Sequence, residues 1–312
     1  MRNSFPAALL FLTLAACHGS RQREIAVIPK GTAHIFWQSV QAGARAAGKA
    51  YHFDIDWDGP PNETDYSRQI EIFDSMVARH VDGIAVAAAD RNALNSSLDR
   101  AAREKIPVTV FDSGVDSTNY MTFVATNNYE AGQMAARKLA ELIGGKGNVG
   151  MIMHAPGSAS TMDRERGFQD VMAKDFPQIR IVAQQYGMAD RAKAMAAAEN
   201  ILTAHAGLNG IFASSEPSSV GTAQALKSRG LSGKVKFVAF DSSEGLIEDL
   251  KGGTIDALVA QDPFRIGFEA VKTVAEKLNG QTPPRRVDLS ATVITKKDLD
   301  KPEIHKLLHP PM

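Results

Sequence analysis

From residue 24 onward one pattern repeats: a short apolar run, a turn, a stretch of helical periodicity, then another apolar run. IAVIP, YHFDIDW, DGIAVAA, PVTVFD and MTFVAT read as buried parallel strands. Residues 37–50, 64–80, 92–105 and 129–143 between and after them read as helices. In IEIFDSMVARHVDGIAV the switch is visible: Ile70, Phe73, Met76 and Val77 make one helical face, and Gly83 precedes the next strand. Such alternation predicts an α/β fold, a parallel sheet with helices on both faces. The pattern restarts after residue 145 with GNVGMIMHA, RIVAQQYG, NGIFASS, VKFVAFD and DALVAQD, and helices are expected at 161–174, 190–205, 217–229 and 243–251. A helix at 263–279, a polar Pro-rich loop at 281–286 and a last strand, ATVIT, complete the chain. The two halves share an architecture but no alignable sequence repeat.

A length of 312 residues allows two domains, each with its own core. Net charge is zero and no basic run occurs, which argues against a nucleic-acid partner. The first twenty residues, MRNSFPAALLFLTLAACHGS, differ in kind. Arg2 precedes an apolar run from Phe5 to Ala16 that is too short to span a bilayer and fits an export signal. LAAC, ending at Cys17, resembles the bacterial lipoprotein processing box. That resemblance implies removal of residues 1–16 and lipidation of Cys17, with 17–23 as a polar tether and the lipid as the only membrane contact. Cys17 is the sole cysteine, so an internal disulfide is impossible.

In open parallel sheets ligands bind beyond the carboxyl ends of the strands. Residues at these ends include Lys30, His34, Phe36 and Trp37 after the first strand, Asp90 after the third, and Asp112 and Ser113 after the fourth. The fifth gives Thr126 and Asn127. The second half supplies His154, Asp190, Ser215, Glu216, Asp241, Gln261 and Asp262. Asp and Ser in such places also cap the following helix, an ordinary structural role. FDSG at 111–114 and FDSSEG at 240–245 stand out, because each puts an Asp directly after an apolar strand, one in each half.

Together, IAVIP, IFWQSVQAGARAAG, DGIAVAAAD, IPVTVFD, ATNNYEAG, DRERGF, GIFASSEPSSVG, FVAFDSSEG and VAQDPFRIG, in this order and spacing, resemble the type I periplasmic binding proteins of ABC sugar transporters, in their ribose-binding branch. The resemblance spans about residues 24–299. It implies two Rossmann-like lobes joined by three crossovers, expected near residues 126–127, 261–262 and 288–289. The N-terminal lobe would be 24–126 with 262–288, and the C-terminal lobe 127–261 with 289–312. It further implies capture of a sugar or polyol by hinge closure, delivery to an ABC permease, a monomeric state, no cofactor and no metal.

By that resemblance Asp112, Arg164, Asp241 and Gln261 are edge ligands for sugar hydroxyls, and Phe36 and Trp37 are the aromatic pair, with at least one ring facing the cleft. Carboxylates accept from hydroxyls and Arg donates paired bonds, so these residue types suit a polyol. Lys30, His34, Asp90, Ser113, Asp190, Ser215 and Glu216 are further ligand candidates, and Arg166 is read as a solvated residue on a helix face. Several positions depart from the ribose pattern: His34 and Ile35 replace Asn-Pro, Ala87 and Ser215 each replace an Asn, Ser113 replaces an Arg, and Ala189 replaces an aromatic. Side-chain bonds are lost and room is gained, so a larger or differently substituted sugar or polyol is expected.

Three other readings are weaker. GGKGN at 144–148 lacks phosphate-loop spacing, and no metalloprotease, hydrolase-elbow or Cys-cluster motif occurs. An enzyme would rest on His34 and His154 alone. A repressor conflicts with the export signal and the lack of a DNA-binding headpiece. A ligand-presenting sensor is the nearest alternative to transport.

Overall fold

The computed structural model describes residues 23–309; Cys17 and the expected signal segment lie outside them. The first sheet contains β1 (Glu24–Ile28), β2 (Asp54–Trp57), β3 (Gly83–Val86), β4 (Val108–Phe111) and β5 (Thr122–Thr126). They are linked by α1 (Ile35–Tyr51), α2 (Tyr66–Ala78) and α3 (Asn95–Arg103). The chain then enters a second unit through α4 (Asn128–Leu142), β6 (Gly147–Met153), α5 (Ala159–Asp175), β7 (Ile179–Tyr186) and α6 (Arg191–Ala204). It continues with β8 (Gly210–Ala213), α7 (Glu216–Ser228), β9 (Lys236–Phe240), α8 (Glu244–Gly252) and β10 (Ala257–Ala260). Helix α9 (Pro263–Leu278) returns to the first unit, where β11 (Arg286–Leu289) pairs with β5. Strand β12 (Thr292–Ile294) and α10 (Pro302–Leu308) belong to the second.

The strand orders are β11-β5-β4-β3-β1-β2 and β12-β10-β9-β8-β6-β7. Every pairing is parallel except that of β12 with β10. Both sheets are therefore doubly wound, and each reverses its winding beside its own first strand. Period-two alternation divides each strand between two cores. Ile25 and Val27 pack under α1 and α9, whereas Ala26 and Ile28 pack under α2 and α3. Burial on both faces explains why these strands read as unbroken apolar runs.

The chain passes between the sheets after β5, after β10 and after β11. The third passage falls at residues 290–291, slightly beyond the expected 288–289, because Leu289 still pairs with Thr126. Strand β11 itself was not expected. Two of its four residues, Arg286 and Asp288, are exposed and charged, so this edge strand lacks the unbroken apolar run of the others.

Close helix packing positions one residue of the later argument. A Cβ on Gly132 would lie 1.9 Å from the Arg164 carbonyl oxygen, and one on Gly167 would lie 2.1 Å from that of Tyr129. Glycine at both places lets α4 and α5 touch backbone to backbone, and this fixes where Arg164 emerges.

Candidate functional site

The carboxyl ends of the two sheets face each other, and polar side chains from both meet there. Asp112 follows β4 and Asp241 follows β9. Both adopt a left-handed backbone, φ 56° and 68°, which is uncommon for a residue with a Cβ. The Asp112 N–H donates to Val124 O at 2.8 Å, and the Asp241 N–H to Val259 O at 2.9 Å. The neighbouring strand thus holds each turn, and the side chain is aimed off the sheet.

Lys30, one residue past the Pro that follows β1, is 3% exposed. Its Nζ lies 3.2 Å from Asp112 Oδ2 and donates across the cleft to Ser160 Oγ at 3.0 Å and Ser158 Oγ at 3.2 Å. Arg164 is buried on α5. It donates to Asn128 Oδ1 at 2.7 Å and Ser214 O at 3.0 Å, lies 3.9 Å over the Phe240 ring, and sits 4.0 Å from Asp241 Oδ2. Gln261 Nε2 donates to Asp241 Oδ1 at 2.7 Å, and the Glu216 N–H donates to Asp241 Oδ2 at 2.9 Å.

The two histidines reach across the cleft in opposite directions. His34, in the first lobe, faces Ala189 O at 3.2 Å and Glu216 Oε2 at 3.5 Å in the second. His154, in the second, places Nε2 3.1 Å from Glu63 Oε2 in the first and Nδ1 2.9 Å from Ser215 Oγ. Glu63 also accepts from Trp37 Nε1 at 2.9 Å. Burial pushes the His154 imidazole down, against the pull of Glu63. Burial pushes Glu63 up, but the bond from His154 and the positive charge nearby, Lys30 included, hold it below the usual carboxylate range. Asp241 is pushed up by burial; Arg164 and Gln261 oppose the rise and Asp112 adds to it. Glu216 is also raised by burial, with Arg191 at 2.5 Å opposing.

Three acceptors in this cluster, Asp112 Oδ2, Glu216 Oε2 and Gln261 Oε1, are buried without a hydrogen bond among the described residues. Lys30 Nζ lies 3.2 Å from the first and His34 Nδ1 3.5 Å from the second, both outside hydrogen-bond geometry. A buried acceptor without a donor is costly, so the cluster is chemically suited to a ligand rich in hydroxyl donors. The space between these side chains is about 30 Å³. Beside it lies a cavity of about 560 Å³, which has Phe36, Asp241 and Gln261 in its wall as well.

Of the residues expected at a site, Lys30, His34, Phe36, Trp37, Asp112, Arg164, Ser215, Glu216, Asp241 and Gln261 converge here. The aromatic pair divides its work. Trp37 is 2% exposed, packs edge-on to Phe111 at 6.4 Å and reaches the cluster through its indole N–H. Phe36 is half-buried, stands perpendicular to Trp37 and borders both cavities.

Three expected ligands lie elsewhere. Asp90 accepts from the Asn92 and Ala93 amides at 2.8 and 3.0 Å, and Asp190 accepts from the Lys193 amide at 2.8 Å, so both satisfy free helix-end or turn amides. Ser113 Oγ accepts from the Ser160 N–H at 3.2 Å and joins lobe to lobe. Glu63, in the β2–α2 loop, was not expected. Its sequence signal is its place in DGPPNETD, directly beyond the carboxyl end of the second strand. His154 was noted only as a strand-end residue and a possible catalytic or metal partner of His34; among the described residues no cluster of three or more His, Cys, Asp or Glu is disposed to hold a metal ion.

Fold and site together define a two-lobed α/β protein with a hydroxyl-accepting cleft at the strand ends of both sheets. The chain belongs to the periplasmic binding protein domain family, whose model matches residues 25–282. It is 28% identical over 288 residues to the D-ribose/D-allose-binding protein of Pseudomonas aeruginosa, covering 89% of this chain and 90% of that one. A carbohydrate transporter solute-binding protein from Agrobacterium radiobacter, solved with D-arabinose, superposes with a TM-score of 0.90 at 33% identity, covering 93% of this chain and all of that one. An ABC transporter solute-binding protein from Agrobacterium vitis, bound to α-D-tagatopyranose, gives 0.89 at 30% identity, covering 93% and 100%.

Proposed function

We propose that this chain captures a sugar or polyol between its lobes by hinge closure and hands it to an ABC permease. The observation that carries this reading is the trio of buried acceptors without a hydrogen bond, Asp112 Oδ2, Glu216 Oε2 and Gln261 Oε1, contributed from both sides of the cleft. Sugar hydroxyls supply the donors these atoms lack, and the Phe36 ring supplies an apolar surface for C–H groups. Ligand contacts to both lobes favour the closed arrangement, to which Lys30, His34 and Glu63 already contribute links. Relatives named for ribose, allose, arabinose and tagatose complexes support a sugar.

The chain acts as a monomeric binder without catalysis, held at the periplasmic face by a lipid on Cys17. Its preferred ligand is not ribose, since His34, Ile35, Ala87, Ser113, Ala189 and Ser215 replace the ribose-branch residues. Calorimetry against pentoses, hexoses and polyols tests this. One or more hexoses or substituted sugars should bind more tightly than ribose. Ribose as the tightest ligand would overturn the specificity, and no binding by any sugar would overturn the function.

A further inference from the structure

The 560 Å³ cavity beside the polar cluster is of a size that holds a ligand, whereas the inner space alone is not. The two are joined through Phe36, Asp241 and Gln261, and the unpartnered Gln261 Oε1 belongs to a side chain only 3% exposed. The lining of the larger cavity is of two kinds. Ile35, Phe36, Val220, Pro263, Leu307 and Leu308 present apolar surface, while Arg191, Ser242, Ser243 and Glu244 present donors and acceptors. A flat ring with an apolar face and a polar edge matches such a wall, and a compact monosaccharide reaching in from the cluster would fill only part of the larger cavity. We propose that this cavity is a second subsite, so that the preferred ligand is a sugar carrying a further ring on its glycosidic oxygen. The inference rests on the sugar-binding reading above and extends it.

Gly245, at the start of α8, borders this cavity and offers a direct test. A Cβ added there meets no atom within 4 Å, so a larger side chain can start from this position without a clash at its root. Calorimetry on the full chain would compare free monosaccharides, their methyl glycosides, their phenyl glycosides and disaccharides, using allose, arabinose, galactose and glucose. A ring-bearing ligand should bind about tenfold or more tightly than the matching methyl glycoside. Gly245→Phe should erase that advantage and leave monosaccharide affinity unchanged, while Gly245→Ala, which alters the helix without filling the cavity, should keep it. A preference for disaccharides over phenyl glycosides identifies the second ring as a sugar, and the reverse identifies an aromatic group. Equal affinity for methyl glycosides and ring-bearing ligands, or an advantage that survives Gly245→Phe, overturns the second subsite while leaving sugar binding intact. Failure of every sugar to bind overturns both.

Discussion

Asp112 and Asp241 occupy equivalent turns in the two lobes, with the same left-handed backbone and the same strand-to-strand amide bond, yet they are held differently. Both oxygens of Asp241 receive hydrogen bonds from its own side of the cleft, through Gln261 and the Glu216 amide. Asp112 has Lys30 as its close side-chain partner, and that ammonium also reaches Ser158 and Ser160 on the opposite lobe. The second lobe thus presents a preorganised edge. The first presents one whose partner is shared with closure, so ligand binding and lobe contact are coupled through Lys30. Preorganisation saves ordering cost on binding, and coupling makes closure responsive to the ligand.

The largest test of this contrast is Asp241→Ala. It removes an acceptor for the ligand and strands both Gln261 Nε2 and the Glu216 amide. Sugar affinity should fall on the order of 100-fold, about 3 kcal/mol, with the circular dichroism spectrum unchanged. Unchanged affinity would remove Asp241 from the site.

Next comes an acid behind the preorganised edge. Glu165, beside Arg164, accepts from the His154 N–H at 3.0 Å and the Ser214 hydroxyl at 2.8 Å, and burial raises it from 4.5 to about 7. Between these values the folded chain keeps a proton that the unfolded chain has released. The unfolded state binds fewer protons there, so stability falls as pH rises from 4.5 to 7, by about 3 kcal/mol. Denaturant titrations across this range should show that slope, and Glu165→Gln should flatten it.

Glu63→Gln probes the coupled side. With its carboxylate replaced, Trp37 loses an anionic partner in its own lobe and His154 loses one across the cleft. Ligand affinity should drop by about 1–2 kcal/mol, and small-angle scattering should show a larger open fraction without ligand. An unaltered scattering profile would separate Glu63 from closure. The smallest effect belongs to Asp190→Ala, which should cost about 1 kcal/mol of stability through the lost cap and leave sugar affinity alone. A loss of affinity there would return Asp190 to the cleft.

Periodicity alone was enough to read the α/β alternation of every strand but β11, because strands buried on both faces must be continuously apolar and helices half-covered by them must be amphipathic. The positions of Asp112, Asp241 and Gln261 were legible for a related reason: polar residues that end such runs stand where a doubly wound sheet opens. Chemistry could not tell them from Asp90 and Asp190, since a carboxylate at a strand end can cap a helix or face a ligand with the same atoms. Only the apposition of the two sheets separates these roles, by turning Asp112 and Asp241 inward and leaving the others on local amides. The same apposition recruits Glu63 from a loop without regular pattern and makes it the partner of a histidine 91 positions away. Packing within the first lobe sends Trp37 into the core and leaves Phe36 at the cavity wall, a choice that two adjacent rings at a helix start do not encode by themselves.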